Sequence, residues 1–221
     1  RTPPGPRRIF VVNTRHGWAE TALVDELDAV ADLDLSGVRS ASGVGLEPHP
    51  EPLLLVCTHG RHDACCAEQG RPLASALRAA YGDAVWECSH LGGDRFAGNL
   101  LILPGGYCYG RLGPDAGVRV VADHLAGRLD LAHFRGRTTV PWVVQFAEQV
   151  VRERLGESRV DAVATRLAAR GTSGAVVQVA VGDSHSLVDV EVDHAEPALL
   201  TCRSVRSGRP PRYRTHVDQT S

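Results

Sequence analysis

Apolar positions along the chain fall into short continuous runs, separated by segments in which they recur at helical spacing. Ile9–Asn13 reads as a strand. Leu23, Leu27, Val30 and Ala31 then predict a helix over Glu20–Leu33 with acidic residues on its other face. Ser36–Pro52, rich in Gly, Ser and Pro, reads as loop. Leu53–Val56 is a continuous apolar run, the pattern of a buried strand, and it ends at Cys57. Residues 58–70 are polar and irregular. Pro72 suits a first helical turn, so a helix is expected from about Arg71 through Leu73, Leu77 and Tyr81, stopped by Gly82 and Asp83. Ala84–Cys88 and Gly98–Leu103 read as strands flanking the Gly92–Gly93 loop. Pro104–Gly106 turns the chain into Tyr107–Leu112, and Asp115 is placed to cap a helix carrying Val118, Val121, Ala122 and Leu125.

This order, β-α-β, loop, β-β-α, is that of a thioredoxin-like domain: a parallel unit, then a hairpin and a closing helix. Beyond Arg128 the pattern changes. Pro141–Leu155 and Arg159–Ala169 read as helices, and Ala175–Val181, Leu187–Val192, Leu199–Arg203 and Arg212–Val217 as strands. The expected organisation is a strand-helix segment and loop over 1–52, an α/β thioredoxin-like domain over 53–128, and a C-terminal α+β extension over 129–221.

Composition narrows the function. Apolar residues make up 43% of the 221, enough for a core, and the net charge of -2 gives no electrostatic pull toward nucleic acid. No apolar run approaches the roughly 20 residues of a membrane span, and no leader pattern is evident, so a cytoplasmic protein without a membrane or nucleic-acid partner is expected. The chain has no Met, so residue 1 is not expected to be a natural start. All 24 basic residues are Arg, a bias expected of a GC-rich genome more than of a function.

The six cysteines are too few and too clustered for a disulfide framework, which points to metal ligation or redox chemistry. Cys108 and Cys202, inside strand-like runs, are expected to be small core residues. The other four fall in two neighbouring loops. Cys57 ends a buried strand, and Cys65 and Cys66 precede a helix N-terminus, where a thiolate is favoured. Cys88, His90 and Asp94 occupy the second loop. Loops at the carboxyl ends of parallel strands are where α/β sheets hold ligands. The wide Cys57–Cys66 spacing is neither the C-x-x-C of a dithiol oxidoreductase nor a short zinc knuckle. It leaves room for a bulky two-iron cluster. His59 and His62 flank the first loop as polar residues, Arg61, Arg71 and Arg95 read as solvated, and Gly92–Gly93 permits a tight turn.

Cys57-Thr-His-Gly-Arg-His-Asp-Ala-Cys-Cys66, followed by Ser89-His-Leu-Gly-Gly-Asp-Arg-Phe-Ala-Gly-Asn99, resembles the sucrase/ferredoxin-like family of thioredoxin-like ferredoxins. The likeness is close over about residues 53–111. It implies a [2Fe–2S] cluster with Cys57, Cys66 and His90 as ligands. Where the family pattern carries a second His, this chain has Asp94. The fourth ligand is then Asp94, by position, or Cys65 or Cys88, because thiolates suit iron–sulfur centres better than carboxylates. A third alternative is that the cluster is absent and these residues hold another metal.

The expected function is electron transfer with a redox partner protein, the cluster rather than a side-chain acid or base carrying the chemistry. The alternative is a zinc-binding or thiol-redox protein using Cys65 and Cys66. No pair of carboxylates in the strand-end loops stands out as the acid/base couple of a hydrolase.

Overall fold

The chain opens with a hairpin. In the computed structural model, which describes residues 5–61, 64–202 and 204–220, β1 (Arg7–Asn13) pairs antiparallel with β2 (Trp18–Val24). The turn follows from its residues. The Asn13 side-chain oxygen accepts the amides of Arg15 and His16 at 2.9 and 3.0 Å, and Gly17 adopts φ 69°. The helix expected over Glu20–Leu33 is therefore not formed. Residues up to Val24 are held in the ladder by β1, and only a 3-10 segment, Leu27–Asp32, keeps any helical character. Strand pairing outweighs a weak local periodicity. β3 (Glu47–Pro48) adds a third, two-residue strand within the stretch expected to be loop. The buried Glu20 carboxylate pins that stretch by accepting the amides of Val44 and Leu46 at 3.0 and 3.1 Å.

The second sheet carries the two cysteine loops. Its elements in order are β4 (Leu53–Cys57), α1 (Ala64–Tyr81), β5 (Val85–Cys88), β6 (Leu100–Leu103), β7 (Tyr107–Tyr109), α2 (Pro114–Leu125) and β8 (Phe134–Arg137). The strand order is β5-β4-β6-β7-β8, with β4 parallel to β5 and every other pair antiparallel. Leu54, Val56, Val85, Leu100 and Ile102 meet Leu73, Leu77, Val120 and Val121 in one core. Phe10 of the hairpin packs edge-on against Trp86 of β5, ring centroids 5.1 Å apart, and so docks the first sheet on the second.

Two expectations for these helices need correction. α1 starts at Ala64, seven residues before Arg71, and Pro72 lies inside it. The buried face runs through Cys66, Gly70, Leu73, Ala74 and Leu77, a helical spacing whose first two members are not conspicuously apolar. Burial of that face offsets the roughly 3 kcal/mol that an interior proline costs a helix. α2 is entered from Gly113 without a side-chain cap; Asp115 lies in its first turn, where a negative charge suits the helix dipole.

The remainder is α3 (Trp142–Leu155) against an antiparallel meander of β9 (Val163–Arg170), β10 (Gly174–Val181), β11 (Ser184–His194) and β12 (Pro211–Thr220). Val144, Ala147 and Val151 of α3 pack on Val163, Val177, Val179, Val188 and Val190. The helix expected over Arg159–Ala169 is instead β9, because Val163 and Leu167 face this core while β10 supplies its hydrogen-bond partners. No strand forms at Leu199–Leu200, where the only pairing is an isolated Ala198–Gly208 bridge; Arg203 lies outside the described residues. The described residues thus form a mixed α/β structure with three sheets. Among the described residues no helix is long and apolar enough to cross a membrane.

Candidate functional site

β4 and β5 end side by side, with Cys57 and Cys88 in register. Paired positions of a sheet point to the same face, so both sulfurs leave the sheet together. The ladder continues past the strand ends: the Thr58 amide donates to the Cys88 carbonyl, and the Cys57 amide to the Asn99 carbonyl, both at 3.2 Å. α1 then brings Cys65 and Cys66 back over this edge in its first turn. Gly70 permits the approach, since a Cβ there would strike the Cys57 carbonyl oxygen.

The side chains form a line of contacts from the interior to the surface. Cys57 and Cys66, 1% and 2% exposed, lie with their thiols in hydrogen-bond contact. The Cys66 thiol lies 3.4 Å from Asp94 Oδ1, and His90 Nδ1 lies 3.5 Å from that same oxygen. Asp94 is buried, whereas the His90 side chain is 49% exposed. The Cys65 thiol reaches the Asp94 carbonyl oxygen at 3.6 Å. All six residues singled out in the sequence, Cys57, Cys65, Cys66, Cys88, His90 and Asp94, therefore converge on one end of the sheet.

Asp94 owes its position to the glycines before it. Gly92 and Gly93 take φ 79° and 69°, a left-handed pair that delivers Asp94 into a single 3-10 turn, Asp94–Phe96. The Asn99 side-chain amide donates to the Gly93 and Gly92 carbonyls at 3.0 and 3.4 Å and fixes that loop. Asn99 was not singled out as a site residue, although it closes the Ala-Gly-Asn segment and is itself buried.

Electrostatics here oppose free thiolates. Burial, and then contact with Cys57 and Asp94, hold the Cys66 thiol well above the usual thiol range. Cys88 is pushed up to about 11, first by burial and then by the nearby Cys57, against the opposing pull of the His90 amide. The thiolate expected from a helix N-terminus is thus outweighed at Cys66 by desolvation. Without a cation beside them, the Cys66 and Cys88 sulfurs keep their protons.

The remaining candidates are dispersed. His59 is half-buried after β4, Arg61 and Arg71 are exposed, and His62 lies outside the described residues. Cys108 is half-buried in β7, with its thiol pushed up to about 11 by burial, as suits a core residue. Cys202 is exposed rather than core, and its sulfur accepts the Cys65 amide at 3.2 Å. The two residues are 137 positions apart, so no local pattern announces that contact.

Among the described residues, no group of three or more His, Cys, Asp or Glu side chains closes around a point that would hold one metal ion. The arrangement is instead one of successive pairs. No curated protein and no solved structure matches the chain. Residues 9–136, more than half of the chain, match the family described as sucrase/ferredoxin-like. That span contains both cysteine loops, the Gly92–Gly93 turn and Asn99, and the chain belongs to the sucrase/ferredoxin-like family.

Proposed function

We propose that this protein carries a [2Fe–2S] cluster and passes single electrons to or from a partner protein. The supporting observation is the contact line Cys57–Cys66–Asp94–His90 at the carboxyl ends of two parallel strands. A dinuclear cluster takes two ligands per iron, so it calls for two neighbouring pairs of donors and not for a closed set around one ion. A pair of buried thiols beside a carboxylate–imidazole pair fits that demand. The donor chemistry fits as well: a cation offsets the desolvation that keeps the Cys66 thiol protonated, and iron–sulfur centres are held by thiolates, with imidazole as a known replacement.

In this reading Cys57, Cys66 and His90 are ligands. Asp94 is the fourth, because its Oδ1 lies in contact with both Cys66 and His90, while Cys65 reaches only its backbone and Cys88 lies beyond Cys57. When bound, the cluster supplies a one-electron couple. The chain's own residues exclude water from the two thiols, and Asn99 holds the glycine turn that carries Asp94. His90 presents the exposed edge through which a partner would approach. We read the second sheet as thioredoxin-like, on the strength of its β5-β4-β6-β7 order and the single parallel pair. Six free cysteines accord with a reducing, cytoplasmic setting.

A zinc-binding or thiol-redox role is the second reading. It is favoured by the adjacent Cys65 and Cys66 thiols, both of which meet Asp94. Anaerobic purification followed by metal and sulfide analysis separates the two. A brown protein with iron and acid-labile sulfide in equal amounts, and a paramagnetic signal on reduction, is expected. Cys66→Ser should abolish the colour, Asp94→Ala should alter the spectrum, and Cys65→Ser and Cys88→Ser should leave it intact. A colourless, iron-free protein would overturn the proposal, and bound zinc would support the second reading.

A further inference from the structure

Phe96, two residues after Asp94, is surrounded by arginines. The guanidinium carbon of Arg135 lies 3.5 Å from the ring centroid, that of Arg95 4.7 Å and that of Arg111 5.2 Å. They come from three places: the turn after Gly93, the segment after β7, and β8. Gathered on one ring, the three charges lie within about a Debye length of each other, where repulsion is little screened. Cation–π attraction recovers part of that cost.

Among the described residues none of the three forms an ion pair, although Arg128, Arg137, Arg152, Arg159, Arg212 and Arg214 all do. The nearest acid in sequence, Asp94, turns its carboxylate inward to Cys66 and His90. Burial, and then Arg111 and Arg95, lower the affinity of the Arg135 guanidinium for its proton.

A second observation is independent of charge. Arg111 is the one non-glycine residue with positive φ, 61°, among those described. It is held there by its amide, which donates to the Phe96 carbonyl at 2.8 Å. A left-handed non-glycine residue is strained, and such strain persists where the surroundings enforce it and collects at functional sites. Here it fastens Arg111 to the residue whose ring carries the other two arginines.

We propose that Arg95, Arg111 and Arg135, gathered on Phe96, form a binding site for an oxyanion: the phosphate or carboxylate group of a small ligand. Planar guanidinium groups bind both oxyanions through paired, charge-assisted hydrogen bonds. The site does not depend on a metal at Cys57 and Cys66, so its failure and that of the electron-transfer proposal are separate outcomes.

Calorimetric titration of the full chain at low chloride, with inorganic phosphate and separately with citrate, tests it. One saturable site is expected. Arg135→Gln and Arg111→Gln should each weaken binding about tenfold or more, whereas Arg119→Gln, on the exposed side of α2, should not. Arg111→Gly removes both the charge and the left-handed strain, so it should lose the anion without lowering the melting temperature. That variant, with the exposed Arg95→Gln, keeps the test valid if Arg135→Gln misfolds. Tighter binding of phosphate identifies a phosphorylated ligand, and tighter binding of citrate a carboxylate. Absence of saturable binding, or equal weakening by Arg119→Gln, overturns the proposal.

Discussion

Gly70 and His124 show how much a single position decides. At Gly70, α1 crosses the end of β4 so closely that an added methyl would meet the Cys57 carbonyl oxygen. Gly70→Ala gains helix propensity but forces the helix away from the strand, and overpacking of this kind costs about 1–3 kcal/mol. A lowered urea midpoint and faster alkylation of Cys57 and Cys66 are the expected outcomes. His124 accepts or donates a hydrogen bond to the Tyr109 hydroxyl at 2.9 Å and packs on Tyr107, ring centroids 4.8 Å apart. Burial lowers its pKa to about 4. Between about pH 6.5 and 4 the unfolded chain therefore binds a proton that the folded protein refuses, so stability falls as pH falls through that window. The loss should be on the order of 2–3 kcal/mol. Comparing urea midpoints of the wild type and His124→Gln across the window isolates it, because the carboxylates titrate alike in both.

At the level of elements, α3 is the joint of the molecule. Glu148 and Arg152, both fully buried, pair at 2.9 Å, and Arg137 of β8 reaches the other oxygen of Glu148 at 2.9 Å. Arg152 also donates to the carbonyls of Arg159 at 2.8 Å and of Glu157 and Val160 at 3.3 Å, tying down the chain that leads into β9. Replacing one partner of a buried pair strands the other's charge. Glu148→Ala should cost about 3–5 kcal/mol, read as a drop in urea midpoint, while Glu148→Ala with Arg152→Leu should recover part of it. The same region shows why β9 is not apparent from its own residues. Its Ala-rich run has helical spacing, but β10 offers an edge to pair with and α3 an apolar face to cover. Neither is visible from residues 159–169 alone.

Across the whole molecule, the C-terminal segment returns to the cysteine loops. Cys202 meets the first turn of α1, and the charge of Arg95 is felt at Tyr213 of β12. This layout ranks thiol reactivity. In the metal-free protein, Cys202 should be alkylated first and Cys57 and Cys66 last, because access limits a thiol as much as its ionisation does. Cys202→Ala removes the acceptor of the Cys65 amide, and faster labelling of Cys65 is the expected result. Mass spectrometry of timed iodoacetamide labelling reads both. Labelling of Cys57 before Cys202 would contradict the observed burial.

Much of the second sheet and the six candidate residues that meet at its end were legible in the residue order. Leu53–Cys57, the Cys57-x₈-Cys66 spacing and the His90-Leu-Gly-Gly-Asp94 turn are local patterns. A continuous apolar run, a strand end and a left-handed glycine pair each declare themselves within a few residues. The start of α1 was hidden because its buried face begins with a cysteine and a glycine, whose burial depends on β4 being there to cross. β2, β9, the Cys65–Cys202 contact and the arginines on Phe96 were not legible for the same reason on a larger scale. Each is set by a partner far away in the chain, and the energies that choose it, of strand pairing, burial and charge proximity, arise only after the partner has arrived.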